Sequence, residues 1–115
     1  MKIALLGYGK MGKTIERIAL ERGHEIVLRV DAPGEYDLSV AQVAIEFSTP
    51  QSAFANISKA LSAGIPTIAG TTGWIENYPK AEALCRVHDT AFLYASNFSI
   101  GVNVFFEINK VLAKL

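Results

Sequence analysis

The sequence predicts an α/β fold: a doubly wound, parallel sheet of Rossmann type, three layers deep in αβα order, forming a single domain. Three observations predict it. Short apolar runs alternate with segments of helical periodicity along the whole chain, the pattern of strand and crossover helix in a parallel sheet. A G-x-G-x-x-G run, Gly7-Tyr8-Gly9-Lys10-Met11-Gly12, directly follows the first apolar run Ile3-Ala4-Leu5-Leu6 and opens a helical pattern. Finally, 115 residues, 50% of them apolar and with no net charge, suit one domain with its own core.

The elements follow in order. The first helix should run from about Lys10 to Arg22 with Met11, Ile15, Ile18 and Ala19 on one face, and Gly23 is placed to end it. Glu25–Val30 reads as the second strand, and Ala32–Asp37 is rich in turn residues. The connection to a third strand, Val43–Phe47, is too short for a full crossover helix; one or two turns near Leu38–Gln42 are the most expected. Ser48-Thr49-Pro50 starts the next helix, a hydroxyl cap followed by proline in the first turn. Phe54, Ile57 and Leu61 share a face of it and Gly64 closes it. Pro66–Ala69 begins a fourth strand leading into Gly70-Thr71-Thr72-Gly73. A helix from about Asn77 to His88 precedes a fifth strand, Ala91–Ala95, which ends in Ser96-Asn97-Phe98-Ser99. The last segment, Val102–Leu115, carries Phe105, Ile108, Leu112 and Leu115 on a helical stripe.

Composition narrows the chemistry. No basic patch points to nucleic acid, and no apolar run has the length of about 18 residues that a membrane helix requires. The N-terminus enters a strand and the glycine motif at once, unlike a signal peptide, so a cytoplasmic location is expected. The lone cysteine, Cys85, falls at helical spacing with Ala81 and Leu84 and reads as core. There is no metal-ligand spacing, Ser-His-Asp order or Walker lysine, so no metal is expected. His24 and His88 belong at the edge of the sheet away from the strand ends, and Glu46 lies within a strand where a neighbouring cation could pair with it. None of these is an evident catalyst.

The glycine motif has a separable task for each glycine. Gly7 permits the tight turn, Gly9 lets a pyrophosphate approach bare backbone, and Gly12 lets the helix pack closely; the helix N-terminus then offers free N–H groups to phosphate. Asp31, 19 residues beyond Gly12 at the end of the second strand, is placed to accept hydrogen bonds from an adenosine ribose. In an open parallel sheet, ligands bind outside the carboxyl ends of the strands. There Gly70 and Gly73 allow backbone near a flat ligand, Thr71, Thr72 and Asn97 could orient a nicotinamide or carboxylate, and Phe47 or Phe98 could pack on a ring.

Taken together, Gly7–Gly12, Ile45-Glu46-Phe47-Ser48-Thr49-Pro50, Gly70-Thr71-Thr72-Gly73 and Ala95-Ser96-Asn97-Phe98-Ser99-Ile100-Gly101-Val102-Asn103 resemble the dihydrodipicolinate reductase family, also called 4-hydroxy-tetrahydrodipicolinate reductase. The resemblance runs the length of the chain, and N-F-S-x-G-V-N is its most specific segment. It implies an NAD(P)H-dependent oxidoreductase of lysine and diaminopimelate biosynthesis that reduces a cyclic dicarboxylate to tetrahydrodipicolinate, usually as a homotetramer. By that resemblance, Gly7, Tyr8, Gly9, Lys10, Met11 and Gly12 bind pyrophosphate and Asp31 the ribose. Gly70, Thr71 and Thr72 hold the nicotinamide end, Phe47, Ala95, Ser96, Asn97 and Phe98 line the cofactor, and Thr72 also faces substrate.

The family's His-His-x-x-Lys segment and substrate domain find no match here, so residues 1–115 are expected to be the dinucleotide-binding domain, inactive alone. The glycine loop is one residue shorter than in many members, and Lys10 replaces a common arginine. Asp31 is followed by Ala32 rather than a basic residue, which favours NADH, although Lys10 leaves use of both NAD and NADP open. Two other readings remain: the cofactor domain of another two-domain amino-acid-pathway dehydrogenase, and a nucleotide-sensing module without chemistry of its own.

Overall fold

The computed structural model describes all 115 residues, Met1–Leu115. Five parallel strands, β1 (Lys2–Leu6), β2 (Glu25–Val30), β3 (Val43–Glu46), β4 (Thr67–Ala69) and β5 (Phe92–Tyr94), form one sheet in the order β2-β1-β3-β4-β5. The chain runs from β1 to β2 on one side and then returns to β3 on the other. The strand order therefore reverses between β1 and β3, and a crevice opens there at the carboxyl edge.

Alternation along the strands assigns the two faces. Ala4 and Leu6 of β1 pack with Val30, Ala44 and Ala60, whereas Ile3 and Leu5 pack with Ala19 and Ile26. Helix α1 (Lys10–Glu21) lies on the second face; α2 (Pro50–Ser62) lies on the first, with α3 (Tyr78–Val87) beside it. The third layer is thus a single helix over β1 and β2. Beyond its reach Leu93 of β5 is 54% exposed. A 3-10 turn, Ile75–Asn77, leads into α3, and Trp74 before it fills the space between Ala69, Ile57 and Tyr94. Ile57 and Leu61 are fully buried, so truncating either to Ala would cost about 2–5 kcal/mol.

Several expectations shift in detail. Between β2 and β3 a single hydrogen-bonded turn forms, from Leu38 to Ala41 (2.9 Å), within the one or two turns expected; the rest of that segment is irregular, and Leu38 and Ala41 themselves plug the core. Met11 does not share the buried face of α1: it stands in the first turn, beyond the sheet, and is 51% exposed. Cys85 is half-buried beside Trp74's cluster and donates to the Thr90 carbonyl (3.2 Å). The last helix, α4 (Ile100–Leu112), begins two residues earlier than its pattern suggested, capped by Ser99. Apart from half-buried Val102, all of its residues are exposed, including Phe105, Ile108 and Leu112, as is Leu115 beyond it.

Candidate cofactor site

The turn after β1 is built by backbone that only glycine allows. Gly7 has φ +107°, and a Cβ there would stand 1.9 Å from the Phe47 carbonyl oxygen. A Cβ at Gly12 would stand 2.4 Å from the Gly7 carbonyl, so the third glycine lets α1 pack onto the turn itself. Gly9 differs from both: a Cβ there meets nothing within 4 Å. Its bareness serves nothing inside the protein, and the space beside it is open.

Gly9 is also the N-cap of α1, with no side chain closing the helix end and no acidic residue in the first turn. Lys13 is the first amide to find an intrahelical acceptor, Gly9 O at 3.0 Å. The amides of Lys10, Met11 and Gly12 are left without one, which makes this end a ready anion site.

Two grooves meet at Gly9, Phe47 and Ser48. The larger, about 550 Å³, runs from Gly7, Tyr8 and Gly9 past Asp31, Ala32 and Gly34 to α2. The smaller, about 360 Å³, lies between Lys10, Met11, Phe47, Gly70, Thr71 and Thr72. Of the residues expected in the site, Ala95, Ser96, Asn97 and Phe98 line neither groove, but the Phe98 ring stands 6.1 Å from that of Phe47, which lines both. Gly12 is inside the fold and lines neither groove.

Three expectations need revision. The Thr71 hydroxyl does not point to a ligand: the side chain is buried, donating to Glu46 Oε1 at 3.0 Å and accepting from the Ser48 amide at 2.8 Å. Its contribution to the groove is therefore its backbone. Gly70 is bare because the Phe47 ring lies against it, and Gly73 because of its positive φ and Pro50, rather than for a flat ligand. Glu46 has no cation partner; its partners are the Ser48 and Thr71 hydroxyls and the Ser48 amide, and burial pushes its carboxyl above the ordinary range against those bonds.

The polar face of α2 was missed. Gln51, Ser52, Ala55, Asn56 and Lys59 line the large groove opposite Ala32–Gly34, and Thr49 caps the helix by accepting from the Ser52 amide (3.3 Å). Their spacing of one, three and four residues was a visible signal, since it marks a second stripe beside the apolar one. Lys59 is the one lysine or arginine lining this groove; its Nζ donates to Gly34 O at 2.7 Å and sits 4.6 Å from the Tyr36 ring centroid. Arg29, near the end of β2, is instead tied to Glu16, which also accepts a hydrogen bond from the Tyr8 hydroxyl. The arginine bonds, then Tyr8, hold the Glu16 carboxyl below its usual range. His24 sits by the N-terminal amine and His88 caps the end of α3, both at the amino edge of the sheet.

The sequence model "Dihydrodipicolinate reductase, N-terminus" matches residues 1–98. The chain belongs to the dihydrodipicolinate reductase family. It is 53% identical over 116 residues to the 4-hydroxy-tetrahydrodipicolinate reductase of Christiangramia forsetii, covering 98% of this chain and 48% of that protein. It is 34% identical over 125 residues to the enzyme of that name from Staphylococcus aureus, covering 98% and 49%. The chain thus spans about half the length of the curated relatives it matches.

Among solved structures, it resembles a mutant hyperthermophilic archaeal homoserine dehydrogenase in complex with NADPH (TM-score 0.63, 17% identical, 81% of this chain and 43% of that one). It also resembles a putative homoserine dehydrogenase from Archaeoglobus fulgidus (TM-score 0.66, 14% identical, 82% and 42%). These are likenesses of fold. The family match separates this domain from the homoserine dehydrogenases that share its architecture. No helix is long and apolar enough to cross a membrane.

Proposed function

We propose that residues 1–115 are the dinucleotide-binding domain of a cytoplasmic, homotetrameric 4-hydroxy-tetrahydrodipicolinate reductase, the activity for which the relatives are named. The observation that carries the cofactor reading is the open backbone at Gly9, beside three helix amides without acceptors, where the two grooves join. The residues fit a dinucleotide. The pyrophosphate lies against Gly7–Gly12, Asp31 accepts the adenosine ribose hydroxyls in the large groove, and the backbone of Gly70–Thr72 takes the nicotinamide end in the small one. Phe47 lines both grooves with the Phe98 ring 6.1 Å away, and Ala95, Ser96, Asn97 and Phe98 are assigned to the cofactor on the family resemblance.

The bound nicotinamide supplies the hydride that reduces the cyclic dicarboxylate. The residues of this chain bind and orient it, with Thr72, exposed at the small groove, turned to substrate. Neither histidine is near enough to give a proton, so the acid and the substrate clamp come from the family's other half. NADH is the favoured cofactor, because Asp31 is followed by Ala32 and Arg29 is already bonded to Glu16. Lys59 facing the same groove is what would admit the extra phosphate of NADPH.

Calorimetric titration of the 115-residue chain with NADH, with NADH oxidation followed in the presence of substrate, tests this reading. Binding without turnover is expected. Positioning of substrate contributes about 7–11 kcal/mol to such reactions, and no residue here supplies it. Absence of NADH binding would overturn the cofactor reading, and robust turnover would overturn the division of labour.

A further inference from the structure

Glu46 is the only charged residue buried in the protein, with 0% of its surface exposed. No cation pairs with it, and its Oε2 finds no hydrogen-bond partner. A core position kept only for stability is better filled by a hydrocarbon than by a lone carboxyl. What distinguishes this one is where its bonds lead.

We propose that Glu46 is a positioning residue: it clamps the loop after β3 to the loop after β4, holding the two grooves in the one relative geometry that lets a single dinucleotide span both. The proposal rests on the cofactor reading above. Glu46 Oε1 accepts from the Ser48 amide (3.0 Å) and hydroxyl on the first loop and from the Thr71 hydroxyl (3.0 Å) on the second. The Ser48 amide is shared with Thr71 Oγ1 (2.8 Å), so the two loops are also bonded to each other over the carboxyl. Asn56 of α2 donates to Ser48 Oγ (3.3 Å), and the Tyr36 hydroxyl donates to Asn56 Oδ1 (2.8 Å). Three donors end on this one oxygen, and Asn56 and Tyr36 join it through the Ser48 hydroxyl, so four segments of the carboxyl edge are linked in one network centred on it.

The clamped loops are those the ligand needs. Phe47 and Ser48 line both grooves, Asn56 lines the large one and Thr71 the small one. Gly70 and Gly73 flank the pair Thr71-Thr72, and glycine gives a loop no stiffness of its own. Without an acceptor at Glu46 the Ser48 and Thr71 hydroxyls lose their common partner. Only the Ser48 amide bond to Thr71 Oγ1 then joins the two loops, and the distance between the small groove and the large one is less firmly held.

The test compares ligands of two lengths on the 115-residue chain. NADH reaches both grooves; ADP-ribose lacks the nicotinamide ring. Glu46→Leu should weaken NADH about tenfold, the worth of one hydrogen bond, and ADP-ribose by less than about threefold. Glu46→Gln, which keeps the acceptor oxygen, should restore NADH to within about threefold of the wild type. Thr71→Val removes the hydroxyl that donates to Glu46 and accepts from the Ser48 amide, and should give the same ligand-dependent pattern even if the Leu variant does not fold. Equal losses for both ligands would mean a structural role alone, and unchanged NADH affinity would mean no clamp; either overturns the proposal. A wild-type chain that binds neither ligand defeats the cofactor reading, and the clamp with it.

Discussion

The ring of Phe47 lies directly against Gly70: a Cβ at residue 70 would stand 2.2 Å from ring atoms Cε1 and Cζ. Through this contact the loop after β4 fixes the aromatic wall shared by both grooves. Gly70→Ala should therefore push the ring aside rather than abolish folding. Overpacking of this kind costs about 1–3 kcal/mol, measurable by urea unfolding, and NADH affinity should fall with it. A variant with wild-type stability would mean that the ring relocates freely.

Gly7 and Gly9 should part company. At Gly7 an added Cβ meets backbone at 1.9 Å and the φ of +107° is itself unfavourable, so Gly7→Ala should destabilise the domain strongly. At Gly9 the space is empty of protein, so Gly9→Val should leave the circular dichroism spectrum native while cofactor titration goes flat. Undiminished binding by Gly9→Val would reduce the motif to a structural turn.

Cofactor choice should divide between Asp31 and Lys59, both in the large groove. A charge-assisted hydrogen bond is worth about 1.5–3 kcal/mol, so Asp31→Ala should weaken NADH roughly ten- to a hundredfold. Lys59→Met should instead weaken NADPH more than NADH, since only NADPH offers it a phosphate. Parallel titrations with the two cofactors decide the matter, and identical changes for both would remove Lys59 from the discrimination.

Burial raises the Glu46 carboxyl above its ordinary value of 4.5. Between that value and the raised one, the folded state holds a proton that the unfolded chain has released, so stability must fall as pH rises through this window. Glu46→Gln has no such proton. Thermal unfolding of both proteins should show the variant gaining on the wild type as pH rises above 4.5, with the difference levelling off beyond the folded-state value. A constant difference across acidic and neutral pH would contradict the raised carboxyl.

Helix α4 exposes Phe105, Phe106, Ile108, Val111 and Leu112 together. A surface of this kind favours self-association, so light scattering should report a mass that grows with concentration. Exchanging Phe105 and Ile108 for glutamate should suppress that growth. A wild-type chain whose mass stays that of a monomer at every concentration would overturn this expectation.

The sequence by itself determined the strand and helix order, the glycine turn and the edge at which the two grooves open. These follow from local causes. Hydrophobic periods mark each element, the Thr49–Pro50 cap and Gly64 bound α2, and the motif's glycines report a turn that other residues cannot make. The reasons for individual side chains were legible only in part. Gly70, Thr71 and Glu46 were visible as polar or glycine positions at strand ends, but their partners lie 23 to 25 residues apart in sequence. Only the parallel register of β3 with β4, which sets Glu46 beside Ala69, brings them together. The same holds for Lys59, carried into the large groove beside Gly34 by the packing of α2 on the sheet. A carboxyl's burial, a hydroxyl's direction and a cation's reach are set by neighbours from other strands, and tertiary packing alone chooses those neighbours.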